Sequence, residues 1–322
     1  MRTNVAAVRK PKALQEGAQF SIFAPASPVD AAERAGGITE LERLGFVVAP
    51  RSSRPETAPS EGYFAASTGY RLHEFLQTVR DPGIEMMIAL RGGYGSNYLL
   101  GAELQAHLPP DDPPKCLLGF SDLTSLQIYL WQKARWVTFY GPMVAAGFRQ
   151  GAYQAKGYEL NSFLQAIRNT AGGWTVRLQA ECLFDGEAEG TVLGGCLTLL
   201  QATIGTAWEL DTRDSILVLE DTGMKPYQVD RALMHLLQAG KFEGVRGIVL
   251  GDFPGGAAPV AGSPTIREVC TRILAPLKIP VVHGSPVGHT ERAMLTVPLG
   301  IRAKLHAGGD GTLEFLEPAV FA

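Results

Sequence analysis

Residues 19–50 read QFSIFAPASPVDAAERAGGITELERLGFVVAP, and this stretch decides the fold class. Its first apolar run, QFSIFAPAS, predicts a strand that ends in a loop. Helical spacing follows, with Leu41 and Leu44 on one face and Gly45 placed as the cap that ends the helix. The run FVVAP then predicts the next strand, so the chain opens with a β-α-β unit.

The same alternation continues through the first half of the chain. The patterns predict a helix over 71–80, a strand over 84–90, a helix over 96–106, a strand over 115–120 and a helix over 122–134. Strands that alternate with helices at this spacing form a mostly parallel sheet flanked by helices, so the fold class is α/β. In such sheets, functional residues collect at the carboxyl ends of the strands.

Composition changes after the first half, which indicates two domains. We predict an N-terminal α/β domain over 1–150 and a connecting segment, rich in Gly and small polar residues, over 151–190. Apolar runs such as SILVLED and IPVVHGS and a final hairpin around 308–311 predict a smaller, β-rich C-terminal α/β domain over 191–322.

Composition also restricts the class of protein. Hydrophobic residues make up 46% and charged residues 19%, which is typical of a folded globular enzyme. The net charge of −3 gives no general attraction for nucleic acid, which we do not expect as a partner. No apolar run is long enough for a secretory signal or a membrane span, so we expect a cytoplasmic protein without a membrane partner. The cysteines form no metal-ligand pattern, and we expect neither metal nor cofactor; they are Cys116, Cys182, Cys196 and Cys270.

One junction, KCLLGFSDLTSLQIYLWQKA (115–134), puts Ser121 in the turn between a predicted strand and a predicted helix. A hydroxyl there lies near unpaired backbone N–H groups and the positive end of the helix dipole, which favour a developing oxyanion. Serine is also a preferred N-cap residue, and Leu123 occupies the last glycine position of the G-x-S-x-G pattern. Ser121 is therefore a candidate nucleophile, with a plain helix cap as the alternative.

A glycine-rich loop, IALRGGYGSN, follows the preceding predicted strand. Adjacent glycines let the backbone approach a ligand closely, so the loop could supply a second oxyanion donor. A plain turn and a nucleotide loop are the alternatives, although the full G-x-G-x-x-G spacing is missing. Arg91 and Tyr94 are its substrate-binding candidates, and Arg91 could pair with a substrate carboxylate or anchor the end of the strand.

In the second half, SILVLEDTGMKPYQVDR places Glu220 and Asp221 at the end of an apolar strand. A carboxylate at that edge can orient a histidine and stabilise its imidazolium form. Either acid could instead pair with Lys225 or Arg231 as a structural charge partner.

Two histidines, His283 and His289, lie in PVVHGSPVGHTER. His289 follows Gly288 in a loop from which an imidazole can reach a cleft. His283 ends the predicted strand, where we expect it to be packed or hydrogen-bonded in place. The candidate base is therefore His289.

Taken together, these motifs resemble the L,D-carboxypeptidase family of serine peptidases, also called muramoyltetrapeptide carboxypeptidases. The resemblance extends from about Ser21 to Leu316. Its motifs are, in order, FAPAS, LRGGYG, LLGFSDLTSL, YGPM, LGGCLTLLQATIGT, LEDTGMKPYQVDR, PVVHGSPVGH and VPLG. The resemblance implies that Ser121 is the nucleophile, that His289 is the base and that Glu220 orients the base.

The resemblance also implies an active site where the two domains meet, with the backbone N–H groups of Gly93 and Asp122 as the oxyanion hole. The sequence departs from the family pattern at two positions. Cys196 stands where asparagine is expected in L-G-G-N-L, and Tyr140 stands where the family often has histidine before G-P-M. Neither departure touches the triad, but both concern substrate positioning.

The implied activity is hydrolysis of the L,D-amide bond to a terminal D-alanine in murein tetrapeptides, through an acyl-enzyme, by a homodimer that recycles cell wall. One alternative within the fold is a self-immunity hydrolase that cleaves a peptide-nucleotide antibiotic, with Trp174 or Trp208 stacking on the base. An alternative of another class is a noncatalytic peptide-binding protein. Retention of Ser121, Glu220 and His289 argues against it, because a binder has no chemical need for the set.

Overall fold

The computed structural model describes residues 7–50, 60–108 and 113–322. Its strands are β1 (Gln19–Phe23), β2 (Val47–Val48), β3 (Met86–Ala89), β4 (Cys116–Gly119), β5 (Thr138–Tyr140), β6 (Trp174–Arg177), β7 (Glu181–Phe184), β8 (Glu187–Cys196), β9 (Ser215–Glu220), β10 (Gly247–Gly251), β11 (Val281–Ser285), β12 (Val297–Leu299), β13 (Arg302–His306) and β14 (Thr312–Phe315). Its α-helices are α1 (Ala31–Arg43), α2 (Thr68–Arg80), α3 (Ala102–His107), α4 (Thr124–Ala134), α5 (Leu160–Arg168), α6 (Leu197–Ala202), α7 (Pro226–Gln238) and α8 (Ile266–Leu274). Among these, no helix is both long enough and apolar enough to cross a bilayer.

The first sheet has the strand order β12-β5-β4-β3-β1-β2. Strands β1 to β5 are parallel, and β12 pairs antiparallel with β5 at the edge. Every residue of β3 and β4 is buried, as expected for parallel strands covered on both faces. The predicted α/β fold with a mostly parallel sheet is therefore confirmed.

The second sheet has the order β6-β14-β13-β8-β9-β10-β11-β7. Its centre, β8 to β11, is parallel, and antiparallel strands flank that centre on both sides. Strands β13 and β14 form the predicted final hairpin. Helices α6, α7 and α8 share an apolar core with the parallel strands, so this unit is the β-rich α/β part that the sequence predicts.

The segment 151–190 has more regular structure than the predicted connection. It contains α5, β6, β7 and the start of β8. Residues of β6 alternate between buried and exposed, but four residues are too few for this period to be recognised among glycine-rich turns. The predicted domain boundaries at 150 and 190 stay predictions.

Two predicted helices begin differently in the structure. The helix predicted over 96–106 is divided into a 3₁₀ turn, Ser96–Leu99, and α3, because Gly101 between them has a φ of 152° that a helix cannot continue through. The helix predicted over 122–134 begins with the 3₁₀ turn Ser121–Leu123 before α4. The second of these turns comes directly after the carboxyl end of β4.

The two sheets meet where β5 and α4 approach the end of β8. A Cβ atom on Gly195 would lie 2.7 Å from Thr124 Oγ1 and 3.0 Å from Tyr140 Cε2, so the approach requires glycine. The backbone N–H of Cys196 donates to Thr124 Oγ1 at 3.1 Å. This junction brings the carboxyl ends of β4, β8 and β9 together.

Two adjacent glycines in α1 provide a test of its packing. A Cβ atom on Gly37 would lie 2.1 Å from the carbonyl oxygen of Val144, whereas one on Gly36 would lie 3.4 Å from Arg149 Cγ. We expect Gly37→Ala to lower the free energy of unfolding by about 1–3 kcal/mol, because α1 must move away from Val144. Gly36→Ala should leave it unchanged or raise it by up to about 1 kcal/mol. Urea unfolding measures both changes, and equal stabilities would contradict this packing.

Candidate active site

Ser121 lies in a strained turn directly after β4. Its φ is +63°, an uncommon value for a residue with a side chain, and strain of this kind is concentrated at functional sites. A Cβ atom on Gly92 would lie 2.7 Å from both Cβ and Oγ of Ser121, so the glycine-rich loop leaves room for the serine. The alternative of a helix cap is not supported, because the N-cap of α4 is Leu123 and has no side-chain hydrogen bond.

Glu220 ends β9 with its side chain fully buried. Its Oε1 accepts the Tyr140 hydroxyl at 2.5 Å, and its Oε2 accepts the backbone N–H of His289 at 2.9 Å. The same Oε2 lies 2.8 Å from Nδ1 of the His289 ring. Within the described residues, neither Lys225 nor Arg231 forms an ion pair with this carboxylate, so the structural alternative from the sequence does not apply to Glu220.

The neighbouring acid, Asp221, has a different set of partners. Its Oδ2 accepts the backbone N–H of Thr198 at 2.9 Å and the Thr198 hydroxyl at 2.6 Å. The thiol of Cys196 donates to the same oxygen at 3.4 Å, and burial raises the pKa of that thiol. Cys196, the first departure from the family pattern, is therefore a protonated thiol that belongs to the buried hydrogen-bond network of Asp221.

His289 lies in the loop after β11, and glycine at position 288 brings that loop onto the carboxylate. Gly288 has a φ of +69°, and a Cβ atom there would lie 2.4 Å from Glu220 Cδ. Asp252 holds the following residues, because it accepts the Thr290 hydroxyl and two N–H groups of Arg292. The loop is therefore fixed on both sides of the imidazole.

Two opposed effects set the pKa of His289. Burial of the ring lowers it, but the charge of Glu220, the hydrogen bond to Glu220 and the charge of Asp221 together outweigh burial. The result is a pKa above the ordinary histidine value. His283, by contrast, has a pKa that burial lowers, and it is half-buried in β11 with no described partner for its Nε2.

Tyr140 connects the strand ends of the two sheets. It is fully buried at the end of β5, and its hydroxyl accepts the backbone N–H of Ser121 at 3.3 Å while donating to Glu220. Burial, and next the charge of Glu220, hold the pKa of Tyr140 well above its usual range, so the hydroxyl stays a donor. The second departure from the family pattern thus contacts both the candidate nucleophile and the candidate acid, so the expectation that it does not touch the triad is wrong.

Of the predicted oxyanion donors, Asp122 follows Ser121 directly in the chain, and Gly93 follows Gly92, which lies against Ser121. Neither backbone N–H donates a hydrogen bond to a described residue. Gly93 lines the cavity described below, and its φ of +114° and its contact with Ser27 exclude a larger residue. The Asp122 carboxylate is buried and accepts the backbone N–H of Ser96 at 2.7 Å, which fixes the turn.

Ser121 and His289 line one cavity with a volume of about 540 Å³. This volume is within the usual range for small-molecule sites. Its charged wall residues are Glu33, Arg91 and Arg149. Neither Glu33 nor Arg149 belongs to a sequence motif, so no local signal identifies them as site residues.

The two candidates from the glycine-rich loop have different positions. Arg91 lines the cavity, and within the described residues no carboxylate lies within ion-pair distance of it. Tyr94 does not line it, but packs with Tyr63, Phe64 and Tyr98 in an exposed aromatic cluster. The structure therefore brings Arg91, and not Tyr94, to the wall shared by Ser121 and His289.

Trp174 and Trp208, the aromatic candidates for base stacking, also lie away from this wall. Trp174 is buried and stacks on Phe315 with ring centroids 4.4 Å apart. Trp208 packs edge to face on Tyr129. Neither lines the cavity that holds the candidate triad.

Comparison with known proteins identifies the family of the chain. Residues 21–141 match the LD-carboxypeptidase N-terminal domain, and residues 189–305 match the LD-carboxypeptidase C-terminal domain. A probable murein peptide carboxypeptidase of Bacillus subtilis is 31% identical over 304 residues, which are 92% of this chain and 91% of that protein.

Two further proteins share the fold across most of their length. The structure of a muramoyltetrapeptide carboxypeptidase from Oxalobacter formigenes has a TM-score of 0.79 and 28% identity, covering 93% of this chain and 99% of that one. The microcin C7 self-immunity protein MccF of Escherichia coli is 28% identical over 312 residues, 88% of each chain. The two domain matches together span most of the sequence, and the chain belongs to the LD-carboxypeptidase family.

Proposed function

We propose that this chain is a serine carboxypeptidase that cleaves the L,D-amide bond to a terminal D-alanine in murein tetrapeptides. The observation that carries the proposal is the Glu220–His289 hydrogen bond beside a cavity that His289 shares with Ser121. Membership of the family and the Bacillus and Oxalobacter relatives support the substrate class.

In the proposed mechanism, His289 removes the proton of Ser121 through Nε2 while Glu220 holds the proton on Nδ1. The alkoxide attacks the scissile carbonyl, and the N–H groups of Gly93 and Asp122 stabilise the oxyanion. D-Alanine leaves with the proton from His289, and water activated by the same ring releases the shortened peptide from Ser121.

Arg91 has the remaining role in this proposal. A guanidinium without a carboxylate partner in the described residues suits the terminal carboxylate of the substrate, because carboxypeptidase activity requires recognition of that end. A cytoplasmic location and a homodimer, both expected from the sequence, stay predictions within the proposal.

The self-immunity activity remains a second candidate because MccF is among the relatives. It needs an aromatic surface for a nucleobase, and Trp174 and Trp208 lie away from the cavity wall. The binding-protein alternative has no use for the strained Ser121 turn. The experiment below distinguishes the proposed function from the self-immunity and binding-protein alternatives.

The first prediction concerns the nucleophile. Wild type should release D-alanine from a murein tetrapeptide, and Ser121→Ala should lower the rate by at least about 10⁴-fold. Ser263→Ala, the same change outside the cavity wall, should leave the rate unchanged; mass spectrometry of the peptide measures all three. Cleavage of an aminoacyl sulfamoyl adenosine without tetrapeptide cleavage would favour self-immunity, and undiminished release by Ser121→Ala would contradict the triad.

A second prediction concerns the protonation of His289. Its imidazole in the Ser121→Ala protein should titrate above pH 6.5, measured by NMR. A base with a raised pKa is protonated and inactive below that pKa, so kcat/KM of wild type should fall as the pH drops through the same midpoint. Glu220→Gln should lower the His289 pKa, because burial then acts without the opposing charge.

His283 is the internal control for this titration, since its pKa should stay below 6.5 in every variant. His289→Asn identifies the signal of the candidate base. A His289 pKa that Glu220→Gln leaves unchanged would contradict the proposed role of the carboxylate.

A third prediction assigns Tyr140 as a positioning residue. Tyr140→Phe leaves the Ser121 N–H and Glu220 Oε1 without this partner, so kcat should fall about 10- to 100-fold with KM unchanged. The acid limb of the pH profile should move to higher pH, because a carboxylate with one donor fewer attracts the imidazolium more strongly. Tyr140→His should restore part of kcat, since an imidazole N–H can donate to Glu220. A Phe variant with wild-type kcat and pH profile would rule this role out.

A further inference from the structure

An ion pair on the cavity wall is not used by the proposed mechanism. Arg149, in the 3₁₀ turn Phe148–Gln150, donates from Nη1 to Oε1 of Glu33 in the first turn of α1. Both residues line the cavity with Ser121 and His289, and their side chains are 45% and 26% exposed. Charges of both signs are therefore presented next to each other to whatever fills the cavity.

The ion pair is not required to anchor α1 to the segment that contains Val144 and Arg149. The backbone of Gly37 already packs against Val144 so closely that a Cβ atom would lie 2.1 Å from the carbonyl oxygen. An exposed ion pair adds little stability to such a contact. Moreover, the other N–H groups of the Arg149 guanidinium make no hydrogen bond to a described residue, which leaves donors for a ligand.

An adjacent carboxylate and guanidinium complement one chemical group in particular. A ligand with an ammonium and a carboxylate on the same carbon can place the ammonium on Glu33 and the carboxylate on Arg149. A ligand with one of these charges gains one partner and meets a like charge on the other. The pair therefore selects an α-amino-acid group over a single ammonium or a single carboxylate.

We propose that Glu33 and Arg149 form a subsite for the α-amino-acid group at the side-chain end of a diaminodicarboxylic residue. The inference rests on the proposed function, in which that residue supplies the acyl group to Ser121 and Arg91 holds the terminal carboxylate beyond it. The enzyme then selects peptides with such a residue before the terminal D-alanine over peptides with lysine there.

Binding to the Ser121→Ala protein tests this subsite without hydrolysis. Three tetrapeptides, L-Ala-γ-D-Glu-X-D-Ala, differ at X, which is meso-diaminopimelate, its side-chain amide or L-lysine. Calorimetry should give a Kd for the diaminopimelate peptide at least about tenfold below that of the other two, as expected for one added charged hydrogen bond.

Substitutions should change this preference in a defined direction. Arg149→Gln, added to Ser121→Ala, should raise the Kd of the diaminopimelate peptide about tenfold and leave the lysine peptide unchanged or tighter, so that the preference disappears. Glu33→Gln should weaken all three peptides, because each carries a side-chain ammonium. Arg267→Gln removes a similarly exposed ion pair with Glu181 outside the cavity wall and should change none of the Kd ratios.

Equal weakening of all three peptides by Arg149→Gln, or equal affinity of the three for the parent, would overturn the subsite. An effect of Arg267→Gln on the ratios as large as that of Arg149→Gln would do the same. Selective binding without D-alanine release by wild type would instead sink the proposed function and leave the subsite standing. Release without selective binding would leave the function and remove the subsite.

Discussion

A carboxylate without solvent access constrains the whole arrangement. Glu220 is fully buried, and a buried charge is tolerated when enough donors surround it. Those donors come from different parts of the fold, namely Tyr140 at the end of the first sheet and the N–H groups of His289 in a loop of the second. Glu220 binds Tyr140 and His289 at once. This one side chain therefore links the relative position of the two sheets to the geometry of the candidate site.

Close backbone approach is what makes this possible. Glycines stand at the points where a side chain would enter the space of the acid or its donors: a Cβ atom on Gly251 would lie 2.5 Å from Glu220 Cβ, and one on Gly288 would lie still nearer its carboxyl group. Gly92 does the same for Ser121. The small residues of the motifs therefore have packing roles, while the charged and nucleophilic residues beside them are available for chemistry.

Sequence reasoning succeeded where a strong local period or a motif existed. Buried parallel strands such as β3 and β4 are continuous apolar runs, and the alternation with helices predicted the α/β fold. The short β6, and the interruption of the predicted 96–106 helix at Gly101, depend on tertiary pairing and on a single backbone angle, which composition does not report. Likewise, the motifs identified the triad candidates, whereas Glu33 and Arg149 meet only after folding, because 115 residues separate them in the chain.

The edge strand β12 has a consequence for biosynthesis. It follows every other strand of the first sheet in chain order, yet it completes that sheet by pairing with β5, whose neighbours were made much earlier. Until Val297–Leu299 has left the ribosome, the edge of β5 has unpaired backbone groups, a state that is prone to aggregation. His289 emerges shortly before β12 and long after Ser121. A nascent polypeptide that stops short of position 289 therefore carries the candidate nucleophile Ser121 without the candidate base, so the proposed hydrolysis requires synthesis to have passed His289.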